Sequence, residues 1–343
     1  MTSYLHMVLA VIAGAAMSLS FAPFELWWVA PVCIGCLYAI IQSNPSKRAG
    51  WLGFLFGLGY FGVGVSWVYN SLHVFGGAAP PIGVMLTAFL VCFLSLYPCL
   101  AAYTFRRLTR IQHARMTVFH AAFFASLWAI SELLRAKILG GFPWILIGYS
   151  QTSGPLGSLA PIMGVYGIGF FLVFWSVLLT TIAVPKQPII TRIGSIICFV
   201  AIPVLGIALG QLSFSTPTEK PLKVRIVQAN IPQELKFSKE RLQASLNQYT
   251  SLSLDAEDDT DLILWPETAI PTYFKNIERA LTPFIQEMDS RGTDVLSGGF
   301  YNDDEGNYNA VRQLGGDKAL YQKRHLVPFG EYVPFRFVFQ WFS

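Results

Sequence analysis

Long apolar runs fill the first 212 residues of this 343-residue chain, and polar stretches that could be loops separate them. A bilayer core about 30 Å thick needs roughly 20 apolar residues per helix. Seven runs approach that length. They cover approximately residues 5–21, 26–41, 51–71, 82–105, 117–134, 159–184 and 193–212. The pattern predicts a polytopic membrane domain with seven helical spans.

After residue 212 the hydrophobic pattern shortens to runs that are typical of a layered α/β domain. Strand-like runs cover 224–231, 262–267, 294–300 and 309–314, and a further one begins near 319. Helix-like runs cover 238–252, where Ser238 is a candidate N-cap, and 275–288, which is amphipathic. We therefore expect residues 213–343 to form a second domain of alternating strands and helices.

Composition and charge agree with a boundary between two solvents. The chain is 53% hydrophobic and 13% charged, with a mean hydropathy of +0.49, whereas soluble domains carry about 25% charged residues. Up to Leu212 the acidic residues are Glu25 and Glu132, and the other eighteen of the twenty follow it. The net charge of +4 is too small to indicate a nucleic-acid partner.

Basic residues in the short loops predict the orientation of the spans. One set of alternate loops holds eight of them, namely Lys47, Arg48, Arg106, Arg107, Arg110, Arg115, Lys186 and Arg192. The opposite loops hold two, Arg135 and Lys137. The bias places the N-terminus in the cytoplasm and, because seven is odd, the second domain on the extracytoplasmic side.

Two of the predicted outer loops, residues 21–31 and 140–151, are rich in aromatics, glycine and proline. They fit either an interfacial aromatic belt or a lipid-facing vestibule beneath the outer domain. Glu132 and Arg135 lie three residues apart near the same side. They fit either a local ion pair that snorkels to the interface or a contact with a substrate headgroup.

The cysteines and histidines predict no metal site and no cofactor. All five cysteines, between Cys33 and Cys198, lie in apolar runs. Cys33 and Cys36 are spaced like half of a zinc site, but no second pair accompanies them. The five histidines show no metal-ligand spacing. We expect the thiols to be buried and inert.

Chemistry in an α/β domain is expected where strands end. Glu267 leaves an apolar strand, where partial desolvation would suit a general base, although a turn glutamate at the surface fits equally. Lys323 ends a short strand and could stabilise an oxyanion or be a solvated edge lysine. Glu331 lies in an aromatic-rich loop and is similarly ambiguous. Such a pair would need a nucleophile, and no cysteine follows Cys198.

At these residues the chain resembles the apolipoprotein N-acyltransferases. The shared motifs in the first domain are FAPF at 21–24, GVGVSWVYNSLHVFGG at 62–77 and GFPW at 141–144. In the second domain they are VQANIPQELKF at 227–237, LWPETAIP at 264–271 and YQKRHLVPFGEYVP at 321–334. The resemblance runs along essentially the whole chain.

The resemblance implies an outer domain of the nitrilase (carbon–nitrogen hydrolase) type, an α-β-β-α sandwich with a Glu-Lys-Cys triad, carried by a bacterial inner-membrane protein. Such enzymes transfer an acyl chain from a phospholipid through a Cys thioester to the α-amine of an S-diacylglyceryl cysteine on an apolipoprotein. The partners are therefore a phospholipid donor, an apolipoprotein acceptor and the bilayer. Glu267 matches the general base, Lys323 the triad lysine and Glu331 a second glutamate in the active-site loop.

Two features depart from the family pattern. Phe237 stands where the family usually has Trp, at a substrate-binding loop position near the lipid entrance. The nucleophilic cysteine of the family lies further along than residue 343, so we expect a C-terminally truncated chain with an incomplete nitrilase-like domain that is inactive alone. The alternative is a non-catalytic membrane protein that still binds lipid or lipoprotein. A transporter is not favoured, because the spans carry almost no paired charges.

Overall fold

The computed structural model describes residues 2–109, 117–183, 187–217, 220–315 and 320–326. The chain divides into two compact units, Met1–Ser215 and Thr216–Ser343. The first is helical, and the second combines a sheet with helices.

Unit 1 consists of helices that follow the apolar runs. They are α1 (Thr2–Met17), α2 (Val29–Gln42), α3 (Ser46–Gly64), α4 (Val68–Asn70), α5 (Pro80–Thr109), α6 (Val118–Arg135), α7 (Ala160–Ala183) and α8 (Ile189–Leu209). Their contacts bury a continuous apolar core that includes Leu37, Phe56, Phe105 and Phe124. Many outward-facing side chains are also apolar, among them Phe89 and Ile190, as expected for helices with lipid as solvent.

Four of these helices, α5 to α8, are long and apolar enough to cross a membrane by length and composition. Helix α3 and the following segment Val68–Phe75 would make a fifth span, bent by 57°. Helices α1 and α2, with 16 and 14 residues, are shorter apolar helices. A membrane protein with several spans is thus confirmed, while the number seven stays a prediction.

The third predicted span, residues 51–71, is not one straight helix. Helix α3 ends at Gly64, and the chain bends before α4. A side chain at Gly64 would lie 2.4 Å from Cδ1 of Ile145, which occupies that space from a distant loop. The sequence pattern missed the bend because apolar residues continue through it.

The described residues of unit 2 form one mixed six-stranded sheet. Its strands are β1 (Val224–Ile226), β2 (Leu262–Leu264), β3 (Ile270–Tyr273), β4 (Asp294–Asn302), β5 (Asn307–Leu314) and β6 (Leu320–Gln322). The order is β1-β2-β4-β5-β6, and β3 also pairs with β4. Strands β1 to β4 pair in parallel, while β4, β5 and β6 form antiparallel pairs.

In the part of unit 2 that the structure describes, three helices accompany the sheet: α9 (Gln233–Lys236), α10 (Lys239–Leu254) and α11 (Phe274–Arg291). The amphipathic α11 buries Phe274, Ile277, Leu281, Phe284 and Met288. These side chains belong to one core with Ile263, Val295 and Leu314, which are in register on one face of the sheet. The predicted mixture of strands and helices in this part of the chain is confirmed.

The opposite face of the sheet is apolar and open within the described residues. Ile226, Val311 and Tyr321 are 74%, 40% and 55% exposed, and Val311 is in register with Tyr321. A two-layer sandwich needs a second sheet on such a face. The described residues form a single sheet, so the predicted sandwich stays a prediction.

The sequence missed one strand of unit 2 and placed the α10 N-cap correctly, at Ser238, but not its side-chain bond. Strand β3 was not predicted, because its sequence IPTY contains Pro271, which usually argues against a strand. Ser238 occupies the N-cap position of α10, but its hydroxyl donates to the Glu240 carboxylate at 2.5 Å instead of accepting from a helix N–H. This contact holds the pKa of Glu240 below its usual range.

Candidate active site

Glu267 lies on a tight turn that interrupts the pairing of two strands with β4. The Trp265 N–H donates to the Leu296 carbonyl at 2.9 Å, just after β2 ends. The Ala269 N–H then donates to the Pro266 carbonyl at 3.1 Å, which closes a four-residue turn. We call residues 266–269 the Glu267 turn. Strand β3 begins directly after it, so the turn projects Glu267 from the end of β2.

The backbone of the turn is unusual at Thr268, where φ is +53°. That region favours glycine or asparagine, and it is a genuine outlier for a β-branched residue. Strain of this kind costs on the order of 1–3 kcal/mol and persists only where the surroundings enforce it.

Trp265 anchors the start of the turn. Its indole N–H donates to Ser253 Oγ at 2.8 Å, and both side chains are buried. The ring stacks on Tyr249 and Phe284, with centroid separations of 5.1 and 5.5 Å. Burial also raises the pKa of Tyr249. The residue before the turn is therefore fixed by packing against both long helices.

The structure brings Lys323 and Glu267 together. The Lys323 N–H donates to the Asn309 carbonyl at 2.9 Å and extends the pairing of β6 with β5. Its Nζ lies 3.0 Å from Glu267 Oε1. The Asn309 side-chain amide donates to the same oxygen at 2.6 Å. Sequence reasoning missed Asn309, although it stands at the start of a predicted strand.

The environment of Glu267 fits one of the two interpretations from the sequence, that of a turn glutamate at the surface. Its side chain is 62% exposed, and that of Lys323 is 29% exposed. The expected partial desolvation of the carboxylate is not found among the described residues, because the turn carries Glu267 away from the buried end of β2. An ion pair this exposed contributes at most about 1 kcal/mol to stability. Its consequence is mainly orientation of the two groups.

The segment that contains Phe237 contacts the same turn. Lys236, the last residue of α9, donates from Nζ to the Glu267 carbonyl at 3.2 Å. Phe237 follows directly and is 57% exposed. Phe237 is thus the next residue in the chain after Lys236, which contacts the turn directly. Glu331 lies outside the described residues.

Chemically, the cluster joins a carboxylate that can accept a proton to an ammonium and an amide that hold it in place. A carboxylate in that position suits a general base, and the ammonium suits a negative charge that develops on an adjacent acyl oxygen. The five cysteines lie in α2, α5 and α8 of unit 1. Cys33 is buried, but Cys92 is exposed and the other three are partly exposed, so the expectation that all five thiols are buried is wrong. Among the described residues, no cluster of three or more His, Cys, Asp or Glu could hold a metal ion.

Glu132 and Arg135 form a buried cluster in unit 1. Their side chains are 4% and 2% exposed, and their charged atoms are 3.6 Å apart. Arg135 donates to the carbonyls of Phe142 and Trp144, and Glu132 accepts from the Ile147 N–H at 2.8 Å. The local ion pair expected from the sequence is confirmed, but both groups are buried, so the pair neither snorkels nor presents its charges to a headgroup. The pair instead satisfies the backbone of a loop.

The chain is similar to known proteins over both units. Residues 13–178 match the family model described as the apolipoprotein N-acyltransferase N-terminal domain. A relative from Methylococcus capsulatus named apolipoprotein N-acyltransferase is 36% identical over 335 residues, and the match covers 96% of this chain and 65% of the relative.

Two further relatives carry the same name. The Photobacterium profundum protein is 38% identical, with 96% of this chain and 64% of the relative covered. The Nitrosomonas europaea protein is 34% identical, with 99% of this chain and 68% of the relative covered. The chain thus spans about two thirds of the length of these relatives, and slightly less for the first two.

Proposed function

Because the chain belongs to the apolipoprotein N-acyltransferase family, we propose that the protein transfers a fatty acyl chain from a phospholipid to the α-amine of an S-diacylglyceryl cysteine on an apolipoprotein. The observation that carries this proposal is the 3.0 Å contact between Lys323 and Glu267. These are the two residues that match the base and the lysine of the family's triad, and they lie far apart in the sequence.

In the proposed reaction the Glu267 carboxylate takes the proton of a thiol, and the thiolate attacks the ester carbonyl of the phospholipid. The ester C–O bond breaks, and the lysophospholipid alcohol leaves with the proton. The acceptor amine then attacks the thioester, loses a proton to Glu267 and forms an amide as the thiol is released. In both steps the Lys323 ammonium stabilises the oxyanion of the tetrahedral intermediate.

The thiol of this reaction is not one of the five cysteines between Cys33 and Cys198. Each of them lies within an apolar helix of unit 1, whereas Glu267 and Lys323 belong to unit 2. We propose that Glu331 is a second carboxylate of the active-site loop and that Phe237 borders the path of the lipid. The 57% exposure of Phe237 supports its role.

We further propose that seven helices cross a bacterial inner membrane, with the N-terminus in the cytoplasm and unit 2 outside. Contacts at one end of unit 1 join the start of α1 to the connection that follows α2. Asn44 contacts the His6 ring at 3.1 Å, and Arg106 donates to the Asn44 carbonyl at 3.0 Å. Asn44 and Arg106 belong to loops that the charge bias assigns to the cytoplasm, and His6 lies at the cytoplasmic start of the first predicted span.

Contacts at the other end join the segments assigned to the outside. The Trp67 and Trp144 rings lie 5.0 Å apart. The Ser158 hydroxyl donates to the Gly206 carbonyl at 2.8 Å, near the end of α8. The Gln151 side-chain amide donates to the Trp27 carbonyl at 3.4 Å, in the connection between α1 and α2. Even the shorter α1 and α2 therefore run between the same two groups of loops, which supports seven crossings.

The open apolar face of the sheet supports an α-β-β-α sandwich. Helices α10 and α11 cover one face, and Ile226 and Val311 remain exposed on the other. A second sheet packed about 10 Å from this one would bury the exposed face. We propose that such a sheet completes the nitrilase-like domain.

The test of the function is an acyl-transfer assay. Residues 1–343 would be joined to the sequence of the M. capsulatus relative that continues past the matched region. Membranes with this chain would receive a phospholipid with a labelled acyl chain and a diacylglyceryl lipopeptide. Mass spectrometry should find the label in amide linkage on the lipopeptide, and heat-inactivated membranes should give none. Binding of the lipopeptide without acylation would favour the non-catalytic alternative.

A further inference from the structure

Gly298, in β4, lies directly against the Glu267 turn. A Cβ atom on Gly298 would come within 2.6 Å of the Pro266 carbonyl oxygen and within 2.7 Å of both Glu267 Cα and Thr268 N. Real Cβ atoms essentially never approach other atoms within 3.0 Å. The turn therefore occupies the space where any other residue would place its side chain.

The strand pairing explains why the turn lies there. Leu264 pairs with Leu296, and Ile270 pairs with Gly299. Ile270 lies six positions after Leu264 (270 − 264), but their partners in β4, Gly299 and Leu296, are only three positions apart (299 − 296). Three residues are thus extra on one side, and they must leave the sheet between the two pairs, at the level of Gly298.

The turn has little freedom to move in any direction except away from β4. Ala269 and Thr268 are 1% and 9% exposed, and Trp265 is fixed by its stacking and its hydrogen bond to Ser253. Pro266 and Glu267, by contrast, are exposed. A side chain on residue 298 would therefore push the exposed part of the turn outward and carry the Glu267 carboxylate with it.

We propose that Gly298 is a positioning residue, whose missing side chain lets the Glu267 turn rest on β4 and so sets the distance between Glu267 and Lys323. The inference rests on the proposed function, because it assigns a purpose to the position of the general base. It explains why β4 carries glycine in the middle of a nine-residue strand, where glycine normally weakens pairing.

The size of the effect follows from the distances. Ordinary contact for a Cβ atom begins near 3.4 Å, so the Pro266 carbonyl would have to move by about 0.8 Å (3.4 − 2.6) in a Gly298→Ala variant. Misplacing a reacting group by about 1 Å can lower a rate by roughly 10²-fold. The contact of Glu267 with Lys323, now 3.0 Å, should be lost in the same variant.

The position of Glu267 can be measured without any activity. A water-soluble carbodiimide joins a carboxylate to an amine only where the two are in contact. The 343-residue chain, purified in detergent, should give a crosslinked peptide that contains Glu267 and Lys323. The contact between Lys223 and Asp259, elsewhere in unit 2, supplies an internal reference in the same digest.

Two glycines provide matched controls. A side chain at Gly299 would meet the ring of Phe274 at 2.9 Å, on the side of α11, and one at Gly306 would meet nothing closer than 3.8 Å. Relative to the reference, Gly298→Ala should lower the Glu267–Lys323 crosslink about tenfold or more. Gly299→Ala and Gly306→Ala should leave it within about twofold of the parent chain. A Gly298→Ala chain that gives as much Glu267–Lys323 crosslinked peptide as the parent chain would overturn the inference.

A second pair of variants tests the turn without altering Gly298. Thr268→Gly accepts the φ of +53° and should keep the crosslink, whereas Thr268→Pro requires a φ near −65° and should lose it. An unchanged crosslink in Thr268→Pro would also overturn the inference. The two Thr268 variants test the inference even if the Gly298→Ala chain does not accumulate in the membrane.

Acyl transfer, measured in the extended chain described above, separates the two proposals. If Gly298 only positions the base, Gly298→Ala should lower kcat by about 10- to 100-fold with little change in KM. If the crosslink disappears and acyl transfer persists, Gly298 still sets the geometry, but Glu267 is not the base. If acyl transfer falls and the crosslink persists, the positioning inference is wrong.

Discussion

The Lys323 ammonium lies 3.0 Å from the Glu267 carboxylate, although 56 residues separate them in the chain. Two pairings of β4 produce this contact. Strand β4 pairs on one side with β2, whose end leads into the Glu267 turn, and on the other side with β5. Strand β5 in turn pairs with β6, which ends directly before Lys323. Residues that are far apart in sequence thus meet at one edge of the sheet.

We expect Glu267→Gln and Lys323→Met each to lower acyl transfer by roughly 10²–10⁴-fold in the extended chain. The first change removes the proton acceptor, and the second removes the charge that stabilises the oxyanion. Rates with labelled phospholipid and lipopeptide provide the measurement. Glu257→Gln and Lys220→Met are controls, because these side chains are 84% and 88% exposed. Full turnover in either site variant would remove that residue from the mechanism.

Asn309 should matter because its amide holds the Glu267 carboxylate at 2.6 Å. Asn309→Leu removes this donor, and we expect kcat to fall by about tenfold. Asn309→Asp should be worse, since it places a second carboxylate against the first. Asn247→Asp, on the exposed side of α10, is a control for added charge. Equal rates for the Leu and Asp variants would contradict this account.

The contact between Glu267 and Lys323 illustrates what the sequence could and could not predict. The sequence motifs predicted both residues as members of one site, because proton transfer and charge stabilisation each require particular residue types. The sequence left open whether Glu267 is partly desolvated or exposed, because its exposure depends on a turn whose φ at Thr268 contradicts the usual preference of that residue. The motifs also missed Asn309, whose role depends on strand register.

The same division holds for the membrane unit. Runs of apolar residues predicted where helices lie, because a helix surrounded by lipid needs apolar side chains along its whole length. The bend after Gly64 and the burial of Glu132 with Arg135 were not predicted, since both depend on the distant loop that contains Ile145 and Ile147. Local patterns carry no information about which loop fills a given space.

The buried pair should be necessary for the stability of unit 1. Arg135→Met leaves the Glu132 charge buried without its partner, which typically costs about 3–5 kcal/mol. We expect a clearly lower Tm in detergent, followed by the fluorescence of the tryptophans. Lys137→Met, an exposed change two residues away, should leave Tm unaltered. The double variant Glu132→Gln with Arg135→Met should recover part of the loss, and a Tm equal to that of Arg135→Met alone would contradict the pairing.

Orientation can be tested with reporters. We expect alkaline phosphatase fused after Phe214 to be active, because the bias of eight to two basic residues places this point outside the cytoplasm. A fusion after Lys47 should be inactive and is the matched control. A cytoplasmic reporter should give the reverse pattern at both points. Activity of the cytoplasmic reporter after Phe214 would overturn the proposed orientation.

The last prediction concerns the 343-residue polypeptide without any extension: we expect it to form no acyl-thioester. That intermediate needs a reactive thiol beside Glu267, and the five cysteines all lie in apolar helices of unit 1, whereas Glu267 belongs to unit 2. A serine is a poor replacement, because its hydroxyl needs a stronger base than one carboxylate provides. The purified chain would be incubated with labelled phospholipid and treated with hydroxylamine, which cleaves thioesters. Release of label from the protein would show that one of these five thiols reacts, and a Cys198→Ser variant, made with the other four single variants, would then identify it.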